Sequence, residues 1–292
     1  MTGRDFLVLG ADGQVGYELV RQLCVHGRVV PVTRSECDLS DLAAVRRLLA
    51  AHPRAMLFNA AAYTAVDRAE HDVVSAALLN EELPGMLAED ARARGNLLVH
   101  FSTDYVFDGA NDAGYREEDA VAPLNVYGTT KLAGERRVQE SGAHHLIVRT
   151  SWVYGLRGRN FLRTILDAAR HRPELRVVDD QRGAPTWSRL VASAAAGMAL
   201  GWSAERAGEQ DGVYHVSAGG ATTWHGFAER IVGLARRREA LACERVVPID
   251  SSELGAPARR PRSSLLSNAK VERTFGIVLP MWEEQLELAM AP

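Results

Sequence analysis

Along the first half of the chain, short apolar runs alternate with stretches whose apolar residues recur at helical spacing. Phe6–Leu9, Arg28–Val32, Met56–Phe58, Leu97–Phe101 and Leu146–Val148 are apolar segments of strand length. Near-continuous apolar runs of this kind mark strands buried on both faces. Between them, Val15–Val25, Leu42–Ala51, Ser75–Arg94 and Tyr127–Glu140 carry helical periodicity. Ser40 and Asp41 offer N-cap chemistry to the second of these helices, and Gly95 a stop for the third. Such alternation predicts an α/β fold, a Rossmann-type doubly wound parallel sheet with helices on both faces.

Beyond residue 150 the alternation loosens. Asn160–Ala169, Ser188–Leu200 and Trp224–Arg237 read as helices, and Arg176–Val178 and Val213–His215 as strands. Asp250–Ser264 reads as a long loop rich in arginine and proline. No internal repeat, low-complexity segment or Gly/Ser linker divides the chain. The reading is therefore a first unit over 1–150 and a smaller α/β region over 151–292, some of whose segments return to the first.

Composition narrows the class. The 292 residues are 47% hydrophobic and 24% charged, with 34 basic against 37 acidic side chains. That balance lacks the basic excess of a nucleic-acid binder. Val191–Trp202, the longest weakly polar stretch, is interrupted by Ser193 and too short for a hydrocarbon core of ~30 Å. Met1-Thr-Gly-Arg-Asp runs into the first apolar strand without a leader pattern, so a cytoplasmic protein without membrane contact is expected. Cys24, Cys37 and Cys243 are widely spaced and form no C-x-x-C, which argues against a disulfide framework or a thiolate metal site. Only Lys131 and Lys270 among the basic residues are lysine. Against so much arginine, a lysine hints at a position that refuses the larger fork.

Gly10-Ala-Asp-Gly13-Gln14-Val15-Gly16 follows the first strand and opens the first helix. Glycines in this setting allow a tight turn, close approach to a pyrophosphate and tight helix–strand contact. The helix N-terminus supplies free N–H groups for the phosphates. The second strand ends Val32-Thr33-Arg34-Ser35, with no acid placed for a ribose 2′-hydroxyl; Glu36 falls beyond it. Arg34 suits a 2′-phosphate instead, so NADPH is the expected cofactor, with NADH the alternative. Asp38 and Leu39 would flank the adenine. Ala62, Tyr63 and Thr64, in the small-residue stretch after the third strand, would let backbone approach the cofactor, as would Phe101 in the fourth.

Tyr127 and Lys131 stand one helical turn apart at the start of a helix and so share a face. A tyrosine near its ordinary pKa of ~10 is a poor acid at neutral pH, and a neighbouring ammonium would stabilise its phenolate. Tyr-x-x-x-Lys alone is common on surface helices. Here it follows Ser102-Thr103 at the end of a predicted central strand, where open α/β sheets place ligands. The Thr103 hydroxyl can polarise a carbonyl beside the tyrosine. His100 and the tryptophans Trp187, Trp224 and Trp282 read as core residues, the histidine with its polar atoms satisfied.

The chain resembles the extended short-chain dehydrogenases/reductases and, within them, the dTDP-4-dehydrorhamnose reductase family. The strings that carry this are Gly13–Gly16, Asn59–Asp67, Ser102–Phe107, Pro123–Glu135, Arg149–Tyr154, Asp180–Thr186, Thr222–His225 and Ala258–Pro261. The resemblance implies NAD(P)H-dependent reduction of the 4-keto group of a dTDP-6-deoxy-4-ketohexose. It implies Tyr127 as proton donor, Lys131 as cofactor contact and pKa modulator, and Thr103 as carbonyl polariser. It also implies Asp104, Tyr105 and Trp152 as sugar-nucleotide contacts, with Arg182 and Arg259 as further substrate candidates. Dehydratases of the superfamily carry Asp-Glu after the threonine; Asp104 is followed here by Tyr105, which favours reduction. Some reductases of the family form homodimers bridged by Mg²⁺ through glutamates. Glu18 matches one such ligand, but Arg189 stands where another is expected, so no metal site is assigned. A reductase of another dTDP-ketosugar stays open. A non-catalytic regulatory subunit is the reading from another class, and it would show a damaged site, whereas Thr103, Tyr127, Lys131 and Trp152 all stand.

Overall fold

Five of the six strands of the central sheet come from the first half of the chain. The computed structural model describes residues 4–291; Met1–Gly3, part of the N-terminal stretch read above, and Pro292 lie outside the described residues. The first half runs β1 (Arg4–Leu9), α1 (Gln14–Leu23), β2 (Gly27–Val32), α2 (Leu42–Ala51), β3 (Met56–Asn59), α3 (Val66–Ala69) and α4 (Val73–Ala77). It continues through α5 (Leu83–Arg94), β4 (Leu98–Thr103), α6 (Val126–Glu140) and β5 (His145–Thr150). Then come β6 (Val153–Tyr154), α7 (Phe161–His171), β7 (Glu174–Val178), β8 (Arg182–Gly183), β9 (Thr186–Trp187), α8 (Ser188–Gly201), α9 (Ala207–Gln210) and β10 (Gly212–His215). The chain closes with β11 (Thr222–Thr223), α10 (Trp224–Arg236), β12 (Arg245–Ile249), α11 (Ala269–Phe275) and α12 (Trp282–Ala289).

The sheet order is β10-β5-β4-β3-β1-β2, with every pairing parallel. Strand residues alternate between two apolar layers. Phe6, Val8, Phe58 and Val99 pack with Leu19 and Leu23 of α1 and Val191 and Met198 of α8. Leu7, Leu9, Leu57 and Leu98 pack on the other face with Val45, Leu49, Leu87 and Val138. Both faces are therefore dry, which is why the strands read as unbroken apolar runs. The N-cap of α2 is Asp41, whose carboxylate accepts from the N–H groups of Ala43 and Ala44.

The stretch read as one helix over Ser75–Arg94 contains Pro84. The structure accommodates it with a π-helical turn, Leu78–Glu82, directly before α5, which carries the proline in its first turn. A proline removes one helical hydrogen bond and crowds the carbonyl one turn back, and a wider turn relieves both.

The second half contributes to the sheet as well as building its own layer. β10 completes the sheet edge on β5, and α8 covers one face of the sheet. The remaining elements surround a separate apolar cluster of Leu162, Ile165, Phe227, Ile231, Trp187, Trp282 and Leu286. Its backbone frame is the parallel pair β7–β12 and the short pairs β6–β9 and β8–β11. The predicted loop Asp250–Ser264 includes a short 3-10 turn, Ser251–Leu254, capped by Asp250. Among the described residues no helix is long and apolar enough to cross a membrane.

Candidate active site

Strand order reverses between β1 and β3, and at that switch point the carboxyl ends of the parallel strands open into a cleft. Its volume is about 790 Å³, and it is walled by the segments that follow β1 to β5 together with Trp224 at the start of α10. Gly10, Gly13, Gln14, Val15, Arg34, Asp38, Leu39, Ala62, Thr64, Phe101, Thr103, Asp104, Tyr105, Tyr127, Lys131 and Trp152 all line it. The sequence thus brings together most of the residues it nominates. Gly16, Tyr63, Arg182 and Arg259 do not line the cleft.

Gly10 adopts φ +74°, and a Cβ there would lie 2.8 Å from the Ala61 nitrogen. Gly16 sits behind the loop, where a Cβ would lie 2.1 Å from the Gly10 carbonyl oxygen. Lacking a side chain, it lets α1 approach the turn. The Gly10 and Ala11 N–H groups each donate to Val32 O at 3.0 Å, tying the loop to the end of β2. No side chain caps α1, so its first N–H groups face the cleft uncommitted. Gln14 Oε1 is buried there without a partner. An anion-ready helix end and an open glycine turn fit a dinucleotide phosphate group.

At the end of β2 the Glu36 carboxylate accepts from Thr33 N at 2.7 Å and from the Thr33 hydroxyl, which hold it below the ordinary carboxylate range. It is thereby spent on its own turn, while Arg34 faces the cleft. Asp38 accepts from Ser40 N at 3.0 Å and from Ser40 Oγ at 2.7 Å. Tyr63 points away: its hydroxyl donates to Asp72 Oδ2 at 2.9 Å, and its N–H donates to Asn80 Oδ1 at 2.9 Å. Asn80 also donates to Tyr63 O and to Thr130 Oγ1. This buried residue of the π-helical turn therefore pins the loop after β3 to α6. Nothing in its local sequence marks it.

Thr103 ends β4, and its hydroxyl accepts from Tyr105 N at 3.2 Å and donates to Asp104 Oδ1 at 3.1 Å. Tyr127 and Lys131 extend from the first turns of α6, started by Asn125, whose side chain accepts from Gly128 N at 2.8 Å. Burial pushes the Tyr127 phenol up to about 12, opposed by the Thr103 hydroxyl. Tyr105 packs edge-on against the Tyr127 ring, with centroids 5.6 Å apart. Burial raises the Asp104 carboxyl to about 6, against the Ser264 and Thr103 hydroxyls. The Lys131 ammonium donates to Phe101 O at 2.6 Å and lies 3.3 Å from His100 Nε2. Burial lowers it to about 8, with Glu135 opposing. Lys131 is thus turned onto β4 here, and the Tyr127 shift is set by burial and not by the ammonium.

The opposite wall is aromatic. Trp152 is the one non-glycine residue with positive φ among the described residues, at +48°. Its indole stacks on Trp224, with centroids 3.5 Å apart and planes 7° from parallel. Trp224 Nε1 donates to Gln181 Oε1 at 3.2 Å. A Cβ on Gly183 would lie 2.4 Å from the Trp152 ring, so glycine there makes room for the stack. Trp224, read from the sequence as core, lines the cleft; Trp187 and Trp282 do pack in the second apolar cluster. Arg182 and Arg259 lie exposed on neighbouring segments. Arg260 instead reaches inward, donating to Asp67 Oδ2 at 2.7 Å.

Among the described residues no group of three or more His, Cys, Asp or Glu side chains could hold a metal ion. Arg189, which stands where a further glutamate ligand is expected from the resemblance, lies over the Trp187 ring.

A parallel sheet with a glycine turn at its switch point, and a Thr/Tyr/Lys group at the end of β4, define a nicotinamide-dependent oxidoreductase of the Rossmann type. The family model described as RmlD substrate binding domain matches residues 4–292, and the chain belongs to that family. A dTDP-4-dehydrorhamnose reductase of Burkholderia thailandensis is 46% identical over 289 residues, covering 97% of each chain. A dTDP-4-dehydrorhamnose reductase of Bacillus anthracis, crystallised in complex with NADP, matches with a TM-score of 0.88 at 33% identity over 99% of each chain. One from Clostridium acetobutylicum matches with a TM-score of 0.89 at 33% identity over 98% of each chain.

Proposed function

We propose that this chain reduces the 4-keto group of dTDP-4-dehydro-L-rhamnose to give dTDP-L-rhamnose, using NADPH. The observation that carries the reading is the meeting of Thr103, Tyr127 and Lys131 in the same cleft as the glycine turn. The family relatives named above support the substrate. Arg34 in the cleft and Glu36 committed to Thr33 support the phosphorylated cofactor.

The glycine turn and the start of α1 would hold the phosphates of NADPH, which would supply the hydride. Tyr127 gives its phenolic proton to the carbonyl oxygen as that oxygen becomes an alkoxide. Turned from Asp104 to the same oxygen, the Thr103 hydroxyl would donate its one hydrogen bond there and so stabilise the charge that develops on it. Lys131 lies on the same helical face as Tyr127 and binds the cofactor ribose. Asp104, Tyr105 and the Trp152 indole position the sugar nucleotide, and positioning supplies much of the rate. Tyr105 occupies the place of a dehydratase's glutamate, which favours reduction over dehydration.

The test is NADPH oxidation followed by absorbance with the dTDP-ketosugar, with the product sugar assigned by NMR. Tyr127→Phe is expected to lower kcat by about 100- to 10,000-fold. Absence of oxidation by the wild type, or undiminished turnover by the variant, would overturn the reading.

A further inference from the structure

Behind the proposed reacting centre lies a buried polar chain that the proton and hydride steps do not use. His100 stands in β4 opposite Asn59 of β3 in the parallel register, and both are wholly inaccessible to solvent. Polar groups at the centre of a sheet are costly unless each atom is paired. His100 Nε2 lies 3.3 Å from Lys131 Nζ, and its Nδ1 lies 3.1 Å from Asn59 Nδ2. Burial and the Lys131 charge hold the imidazole well below its ordinary value, so the ring is neutral. A neutral imidazole has one bare nitrogen and one N–H. Facing an ammonium at Nε2, the ring must carry its proton at Nδ1. Asn59 meets that proton once its amide is turned to present Oδ1, the atom otherwise buried without a partner.

We infer that His100, oriented by Asn59, is a positioning residue that fixes the Lys131 ammonium by accepting a hydrogen bond at Nε2. With the Phe101 carbonyl 2.6 Å away, it occupies two of the three ammonium N–H groups. The third is left for the cleft, whose wall Lys131 forms. The arrangement also accounts for lysine at this position in an arginine-rich chain. A point ammonium fits between a ring nitrogen and a carbonyl, whereas a planar guanidinium fork does not. The charged and titratable groups around Lys131 are Tyr127 and Glu135 on α6 and His100 on β4. His145 and Arg149 of β5 stand behind them, with Arg149 engaged by Glu135 at 2.6 Å.

The inference rests on the proposed reductase reading for its kinetic consequences but not for its tautomer. In the full chain labelled with ¹⁵N-histidine, NMR should show His100 protonated at Nδ1 and bare at Nε2; a proton on Nε2 overturns the inference whatever the substrate. His100→Leu should lower kcat roughly 100-fold, the scale of loss when a catalytic group is misplaced by about 1 Å. It should also move the alkaline limb of kcat/KM to lower pH, because the ammonium loses an acceptor. His100→Gln, whose amide oxygen can accept the same hydrogen bond, should restore most of kcat and the position of that limb. A folded Leu variant with wild-type turnover and an unmoved limb, or a Gln variant no better than Leu, overturns the inference. If Leu does not fold, the tautomer and the Gln variant decide. If the wild type fails to reduce the ketosugar, the functional reading falls while the tautomer still judges His100.

Discussion

The two walls of the cleft are built from different materials. The wall facing the proposed cofactor is backbone and small side chains: glycines after β1, alanines after β3, and uncommitted N–H groups at the start of α1. The wall facing the proposed sugar nucleotide is made of large side chains, above all the Trp152–Trp224 stack, contributed by segments far apart in the chain. Backbone walls tolerate no added atom, because what would have to yield is the main chain. Side-chain walls yield by rotating a ring, and they set which ligand fits. In the proposed reading the first wall seats the cofactor and the second selects the sugar nucleotide, with Thr103, Tyr127 and Lys131 between them.

Gly16→Ala should be the harshest break in this contrast. Its Cβ would meet Gly10 backbone at 2.1 Å with no flexible neighbour to move. A loss of about 3 kcal/mol, at the upper end for overpacking, is expected. Chemical denaturation would measure the loss of stability, and NADPH fluorescence titration should show weakened binding.

Between the walls stands Lys131. With its ammonium lowered to about 8 in the free protein, the charged form prevails below that pH and is lost above it. A pH profile of kcat/KM, which reports the free enzyme, should be level up to about 8 and then fall about tenfold for each further unit. Persistence of full activity well above that limb would show that the charge on Lys131 is dispensable.

A milder break on the aromatic side is Gly183→Ala, which crowds the Trp152 ring at 2.4 Å. The ring can shift, so about 1 kcal/mol is expected. It should be read as a several-fold rise in KM for the sugar nucleotide with NADPH affinity unchanged. Equal loss for both ligands would erase the distinction between the walls. Smallest of all, Arg260→Ala removes a partly exposed pair with Asp67. It should cost no more than about 1 kcal/mol, and high salt should mask the effect in thermal melts.

The backbone wall was also the legible one. Strands buried on both faces must be apolar throughout, and a turn that approaches a ligand must be glycine, so β1 to β5 and Gly10–Gly16 are written in residue types. Pro84 shows a local limit: its presence in a helical stretch does not reveal the π-helical turn that absorbs it. Side-chain direction is another. Tyr63 belongs to the right loop, yet its hydroxyl is claimed by Asp72. The aromatic wall depends on long-range pairing, so Trp224 reads as core until Trp152 is seen beside it. His100 is a buried, hydrogen-bonded histidine as its setting suggests, but only the fold discloses that its partner is Lys131.

The return of β10 to the sheet has a practical corollary. A fragment ending after β5 would strip the neighbour from the backbone of Leu146–Arg149 and uncover the face that α8 protects. Such a bare edge is a template for self-association. Attempts to produce the first half by itself should therefore give aggregates, and fusions or tags belong at the chain ends and not after β5.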